Sequence, residues 1–187
     1  MSSVTALNGA TSNGIISVSD AGLMGMITLR GDLASPEMAK AVKAVTGAAM
    51  PAARQITSAK KGSAAWMSSD ELLLMVDYAD ADATVAKLSK SLSSVHHLAV
   101  NVSDARAVFN LSGDVIRDVL AKGSPADMSV DGLPIGEVRR TRIGQLAVAF
   151  WFNDSENAQL VCFRSVGGHI MNWLENASET GTEVNFH

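Results

Sequence analysis

Apolar and polar positions change their period several times along the chain, and the changes mark its elements. Residues 23–29 (LMGMITL) read as a strand. Ser35 followed by Pro36 predicts a helix start, because proline at the first helical position forfeits no hydrogen bond. Met38, Val42 and Val45 form one apolar stripe behind it. Gly47 closes that helix by tolerating positive φ, and Pro51 prevents its return. Residues 54–58 and 64–76 read as strands joined through KKGS, with residues 67–71 turning the chain again before LLLMV, so two or three antiparallel strands result. Asp80 and Asp82 sit where a helix N-terminus favours negative charge, and Val85, Leu88 and Leu92 follow at helical spacing. A strand over 95–100 ends this half.

The order then repeats. A strand over 106–111 leads to a helix over 114–122 with Val115, Ile116, Val119 and Leu120 inward, stopped by Gly123 and Pro125. Strands over 137–143, 145–152 and 158–164 follow, and Ser165 is expected to cap a last helix carrying Ile170, Trp173, Leu174 and Ala177. Leu29, Gly31, Asp32, Ala39 and Lys40 recur 82 positions later as Leu111, Gly113, Asp114, Ala121 and Lys122. Arg54, Ala64, Trp66, Glu71 and Val76 recur 85 positions later as Arg139, Ala149, Trp151, Glu156 and Val161, with the three-residue slip assigned to the loop over 123–136. Helices interspersed with hairpins predict an α+β fold, a single domain of two pseudo-repeated strand-helix-hairpin-helix halves at 21–101 and 102–178. Residues 1–20, rich in Ser, Thr, Asn, Gly and Ala, are expected to form a flexible arm or a strap over a partner, and residues 179–187 a loose tail.

Composition narrows the function classes. The 187 residues are 47% hydrophobic and 18% charged with mean hydropathy +0.16, apolar against an average charged share of about 25%, which predicts a surface partly covered by another chain. A net charge of −4 and a pI near 5.5 leave no basic face for a phosphate backbone, so no nucleic-acid partner is expected. Cys162 is the only cysteine, which excludes an intrachain disulfide and a thiolate zinc site and fits a reducing compartment. The first 29 residues hold no Lys or Arg, and the longest strongly apolar run is LAVAFWF at 146–152. A cytoplasmic protein without a membrane partner is the expectation.

Candidate chemistry is sparse. The chain has no phosphate-binding glycine loop, HExxH, GxSxG or GxGxxG. Ser58 and Lys61 have an SxxK spacing without the companion SDN and KTG elements. His96 and His97, adjacent in a predicted strand, point to opposite faces and cannot share an ion, and His169 is distant. Asp77, Asp80 and Asp82 lack the glycine and distal glutamate of a calcium loop, so helix capping explains them better. The densest positive cluster is Arg139, Arg140 and Arg142. Arg140 and Arg142 share one predicted strand face, where they could bind carboxylate or phosphate or, more simply, pair with a partner chain. Trp66, Trp151 and Trp173 are candidate core or interface anchors. No catalytic, cofactor-binding or metal-binding residue is assigned.

Three segments together resemble one family. The hairpin AAWMSSDELLLM (64–75) is similar to the tryptophan-containing segment of the gamma subunit of heterotetrameric sarcosine oxidase, with Ser68 and Ser69 in place of a Gly-Pro and Asp70 and Glu71 keeping the acidic pair. The segment ARAVFNLSGDVIRDVLAKGSPADMS (105–129) resembles that family's strand, Ser-Gly turn, helix and following Gly-x-Pro. FRSVGGHIMNWL (163–174) resembles its Arg-Ser strand exit and final tryptophan-bearing helix, and with GEVRRTRIGQLAVAFW the likeness runs over residues 23–177. The resemblance implies a fold like the folate-binding domain of aminomethyltransferases, with two related halves. It implies a complex with alpha, beta and delta subunits that oxidises sarcosine to glycine, forming hydrogen peroxide and 5,10-methylenetetrahydrofolate. FAD, FMN, NAD, tetrahydrofolate and zinc would be carried by the other subunits, and this chain would be a structural member packed mainly against alpha.

The alternative is a stand-alone folate-binding aminomethyltransferase relative. Asp20, Met24, Gly25, Ile27, Leu29, Gly31 and Asp32 resemble that family's first strand. Gly22 and Leu23, however, stand where it usually has Ser-His, and Gly62 leads into Ala64, Ala65 and Trp66 where it has paired aspartates. An alanine or an indole cannot replace a carboxylate that orients a folate nitrogen.

Overall fold

Each of the two strand-rich stretches closes around its own apolar cluster. The computed structural model describes residues 4–184, which divide into a unit of residues 23–103 and a unit combining the residues up to 22 with those from 104 onward. The chain opens with strands β1 (Thr11–Asn13) and β2 (Ser17–Asp20). The 23–103 unit follows as β3 (Gly25–Gly31), α1 (Pro36–Thr46), β4 (Ile56–Ala59), β5 (Gly62–Ser68), β6 (Glu71–Val76), α2 (Ala81–Ser91) and β7 (His97–Asn101). The rest runs β8 (Arg106–Ser112), α3 (Ile116–Ala121), β9 (Arg139–Ile143), β10 (Leu146–Phe152), β11 (Asn157–Phe163) and α4 (Gly167–Ala177). This is the α+β arrangement expected.

In the 23–103 unit the antiparallel sheet runs β4-β5-β6-β3-β7. Ile27, Leu29, Ala64, Leu72 and Leu74 face one side and meet Met38 and Val42 of α1 and Leu88 and Leu92 at the end of α2. Helix α1 forms where the sequence says it should. Ser35 Oγ accepts from the Met38 N–H at 3.2 Å, and Gly47, at φ 76°, donates its N–H to the Lys43 carbonyl. Replacing Ser35 by Ala is expected to cost about 1 kcal/mol, read as a lower urea midpoint with unchanged slope.

The other unit has a six-stranded antiparallel sheet, β1-β2-β8-β11-β10-β9. Val18, Phe109, Leu111, Phe150, Phe152 and Leu160 gather with Ile116, Val119, Leu120, Ile170 and Leu174 in its core. Its strand order repeats that of the first, with β9, β10, β11, β8 and β2 standing where β4, β5, β6, β3 and β7 stand. The correspondence extends to single atoms. The Val102 N–H donates to Met26 O in one unit and the Ala21 N–H to Val108 O in the other. Asn101 Oδ1 accepts from Ser103 N as Asp20 Oδ1 does from Gly22 N. Gly31 and Gly113 both have positive φ, 156° and 147°, a region open to glycine.

Several expectations change. Within residues 4–20 the expected free arm is replaced by structure: β2 pairs with β8 in the second unit, with Ile16 and Val18 almost fully buried, while residues 1–3 lie outside the described residues. The Ile15 N–H reaches Ser178 O at 2.7 Å, and Asp20 accepts from Thr5 Oγ1 and Gly9 N. Among the described residues no strand follows α4, so in this unit the position that β7 fills in the other is taken by β2. The halves 21–101 and 102–178 therefore become 23–103 and a unit that also takes in the N-terminal strands.

The second part of the repeat is out of register. Leu74 pairs with Ile27 and Ala64, and Leu160 pairs with Phe109 and Phe150, so Ala64 corresponds to Phe150 and Trp66 to Phe152, an offset of 86 rather than 85. One residue of slip in a strand exchanges its two faces. Ser165, expected to cap the last helix, lies inside a 3-10 turn (Arg164–Val166) leading into α4, whose N-cap position makes no side-chain bond. Asp80 at the start of α2 likewise makes no side-chain cap bond. Within the tail, Thr182 turns back to Glu179 and accepts from Lys122 Nζ at 2.8 Å, while 185–187 lie outside the described residues.

Candidate functional site

The arginine cluster divides between the two faces of the edge strand β9. Arg139 points to the core side, where its Nη2 donates to the Gly132 carbonyl and to Glu137 Oε1 (2.8 Å), so it fastens the preceding loop. Arg140 and Arg142 are exposed and share the opposite face, as the period-two pattern predicts, across from Ala149 and Ala147. Charged side chains on an outer strand also discourage unwanted edge pairing.

The tryptophans occupy three environments. Trp151 is 0% exposed, on the β10 face opposite Phe150 and Phe152, and its indole N–H has no hydrogen-bond partner. Of the core and interface alternatives, this burial favours the core. Five successive buried residues, Val148 to Phe152, show that β10 is covered on both faces. Trp66 is half-buried against the core of the 23–103 unit. Trp173 is half-buried on α4 against the other core, with Gly123 beneath it: a Cβ there would lie 2.3 Å from Cζ2.

The remaining candidates stay apart. Ser58 and Lys61 are exposed around a hairpin turn, Ser58 facing Ser63 across the ladder. His96 is exposed ahead of β7, His97 is half-buried with Nδ1 3.0 Å from Val95 O, and His169 is exposed on α4. Among the described residues no three His, Cys, Asp or Glu side chains gather as a metal site. A cleft of about 490 Å³ in the 23–103 unit is lined by Lys60, Lys61 and Lys87 beside Asp77 and Asp80, charges of both signs open to water. None of the described helices is long and apolar enough to cross a membrane.

Cys162 is buried in the core, and burial pushes its thiol up to about 11, slightly offset by the positive charge of Arg106. It should resist alkylation at pH 8 until the chain unfolds. Because the folded value lies above the unfolded one, the thiol contributes stability that is fully present below about 9 and lost as pH rises towards 11. That loss, roughly 1–3 kcal/mol, should vanish in Cys162→Ala, measured by urea unfolding at stepped pH.

Sequence reasoning missed Arg117. Its Nη1 donates to Met128 O (2.7 Å) and Ser129 O, its Nη2 to Leu133 O, and its guanidinium lies 4.2 Å from the Phe152 ring centre. One side chain thereby gathers the loop between α3 and β9, which exposes Val130 and Ile135. The long loop without an assigned partner for its carbonyls was the available signal.

Ala64 and Ala65 are both 0% exposed, Ala64 packing under the helices, and Leu23 is 42% exposed. No carboxylate occupies residues 62–66.

No curated protein matches the sequence. A chain of the heterotetrameric sarcosine oxidase from Corynebacterium sp. U-96, solved in complex with pyrrole 2-carboxylate, superposes with a TM-score of 0.79 at 22% identity, covering 90% of this chain and 87% of that one. Aminomethyltransferase T of the glycine cleavage system from Bartonella henselae superposes at 0.62 with 13% identity over 86% of this chain and 46% of that one. These likenesses establish the fold, which is similar to part of an aminomethyltransferase. The Sarcosine oxidase, gamma subunit family model matches residues 30–180, most of the sequence, and on that ground the chain belongs to the sarcosine oxidase gamma subunit family.

Proposed function

We propose that the chain is a non-catalytic accessory gamma subunit of a heterotetrameric sarcosine oxidase, packed mainly against the alpha subunit in a cytoplasmic complex with alpha, beta and delta. Family membership over residues 30–180 carries this reading. In the proposed complex sarcosine, oxygen and tetrahydrofolate become glycine, hydrogen peroxide and 5,10-methylenetetrahydrofolate. The flavins of the other chains would supply the hydride acceptor, with oxygen as the terminal oxidant. FAD, FMN, NAD, tetrahydrofolate and zinc belong to the other chains in this reading; for tetrahydrofolate, the want of a carboxylate at residues 62–66 speaks for it. The role of this chain is to hold and shape a neighbour, with Arg140 and Arg142, exposed on β9, and the half-buried Trp66 and Trp173 as contact candidates.

The folate-binding alternative draws on the aminomethyltransferase-like fold. Titrating the purified chain with tetrahydrofolate separates the two. The accessory reading expects no saturable binding at micromolar ligand and no flavin absorbance; saturable micromolar binding would transfer the one-carbon role to this chain.

A further inference from the structure

The two units differ at one corresponding edge. In the N-terminal and C-terminal unit, the outer side of β2 is closed by β1, which pairs Thr11 with Ser19 and Asn13 with Ser17. The register places β7 in the same position: Ala99 lies opposite Leu29 as Val18 lies opposite Leu111, so Leu98 corresponds to Ser17 and Val100 to Ser19. No strand among the described residues pairs with the outer side of β7, which ends its sheet. The two serine positions have become apolar, and Leu98 and Val100 are 51% and 41% exposed. They stand on one face, since Ala99 between them turns to the core. Beside Leu98 on the neighbouring strand lies Arg30, already ion-paired to Glu71 at 2.6 Å.

An open ladder edge with unpaired backbone groups recruits another strand, and alternate side chains select which one. We infer that β7 is completed by an extended segment of a partner subunit, adding antiparallel to it as β1 adds to β2, with apolar side chains at the two alternate positions facing Leu98 and Val100. The inference rests on the accessory-subunit reading and names the surface that reading lacks. Serine opposite Thr11 and Asn13 suits an edge closed from within the chain; leucine and valine suit one closed from outside, where apolar burial must supply association. A second copy of this chain could also offer a β7 edge, but that pairing would bring two copies into each assembly, which the accessory reading does not contain.

The test uses the full chain co-expressed with its partner subunits. Hydrogen exchange over residues 97–101 should slow at least tenfold in the complex relative to the free chain. Leu98→Lys with Val100→Lys, two exposed changes checked by thermal melting, should lower partner recovery at least tenfold. Equal exchange in the free and bound states overturns the inference, and needs no variant. So does full recovery by a folded double variant. A free chain that runs as a dimer and is dissociated by the lysines replaces the partner strand with self-pairing. If the wild-type chain recovers no partner at all, the accessory reading itself fails and the inference with it; recovery by wild type and variant alike removes the inference alone.

Discussion

Deletion of the first 20 residues should leave the chain unable to fold to a stable native state. Leu7, Ile16 and Val18 are 9%, 2% and 1% exposed and belong to the core of the second unit. Burying three such side chains contributes roughly 5–9 kcal/mol, against a total stability of about 5–15 kcal/mol for a typical domain. The deletion also strips the ladder from Ser17–Asp20 against β8, leaving buried backbone groups without partners. The checks are soluble yield, near-ultraviolet circular dichroism and a cooperative thermal transition. A truncated chain melting within a few degrees of the full one would make the segment a dispensable strap.

Trp151→Ala should destabilise the free chain by about 3–5 kcal/mol, the cost of emptying a large aromatic site. The residue is wholly buried on the second face of β10, so it contributes before any partner arrives. At roughly 2–4 °C per kcal/mol for a chain of this size, the melting temperature should fall by about 6–20 °C. Trp151→Phe should cost less, because it keeps most of the ring area and removes an indole N–H that has no partner. A free chain of unchanged stability that binds partners more weakly would return Trp151 to the interface.

Where one face of an element is polar and the other apolar, the sequence was legible. Helix α1 shows this best, with Ser35, Pro36 and Gly47 marking its ends and Met38 and Val42 its inner stripe. Strand β2 was hidden by composition. Ile16, Ser17, Val18 and Ser19 do alternate, with β-branched residues at the inner positions, but the surrounding Ser, Thr, Asn and Gly suggested an unstructured arm. The register of the repeat was hidden for another reason. Matching Trp66 to Trp151 follows residue type, whereas the ladder matches Trp66 to Phe152, and only pairing decides a period-two register. The continuous run LAVAFWF was weighed only as the longest apolar stretch, although the burial of its last five residues, Trp151 among them, is what an unbroken apolar strand can encode.

At the candidate site, the sequence exposed what is missing more readily than what is present. Ala64, Ala65 and Trp66 can be read directly as the lack of a carboxylate. The division of Arg139 from Arg140 and Arg142 followed from alternation along β9. The role of Arg117 and the exposure of Leu98 and Val100 depend on contacts between distant segments, which no local pattern encodes.

The central claim is that this chain assembles with a sarcosine-oxidising flavoprotein without sharing its chemistry. Its most direct test is co-expression with alpha, beta and delta subunits, followed by native mass and flavin absorbance of what co-purifies. The account predicts a stoichiometric flavin-bearing complex that contains this chain and loses integrity when it is omitted. A complete, sarcosine-oxidising complex that forms without it, while this chain elutes alone, would contradict the account.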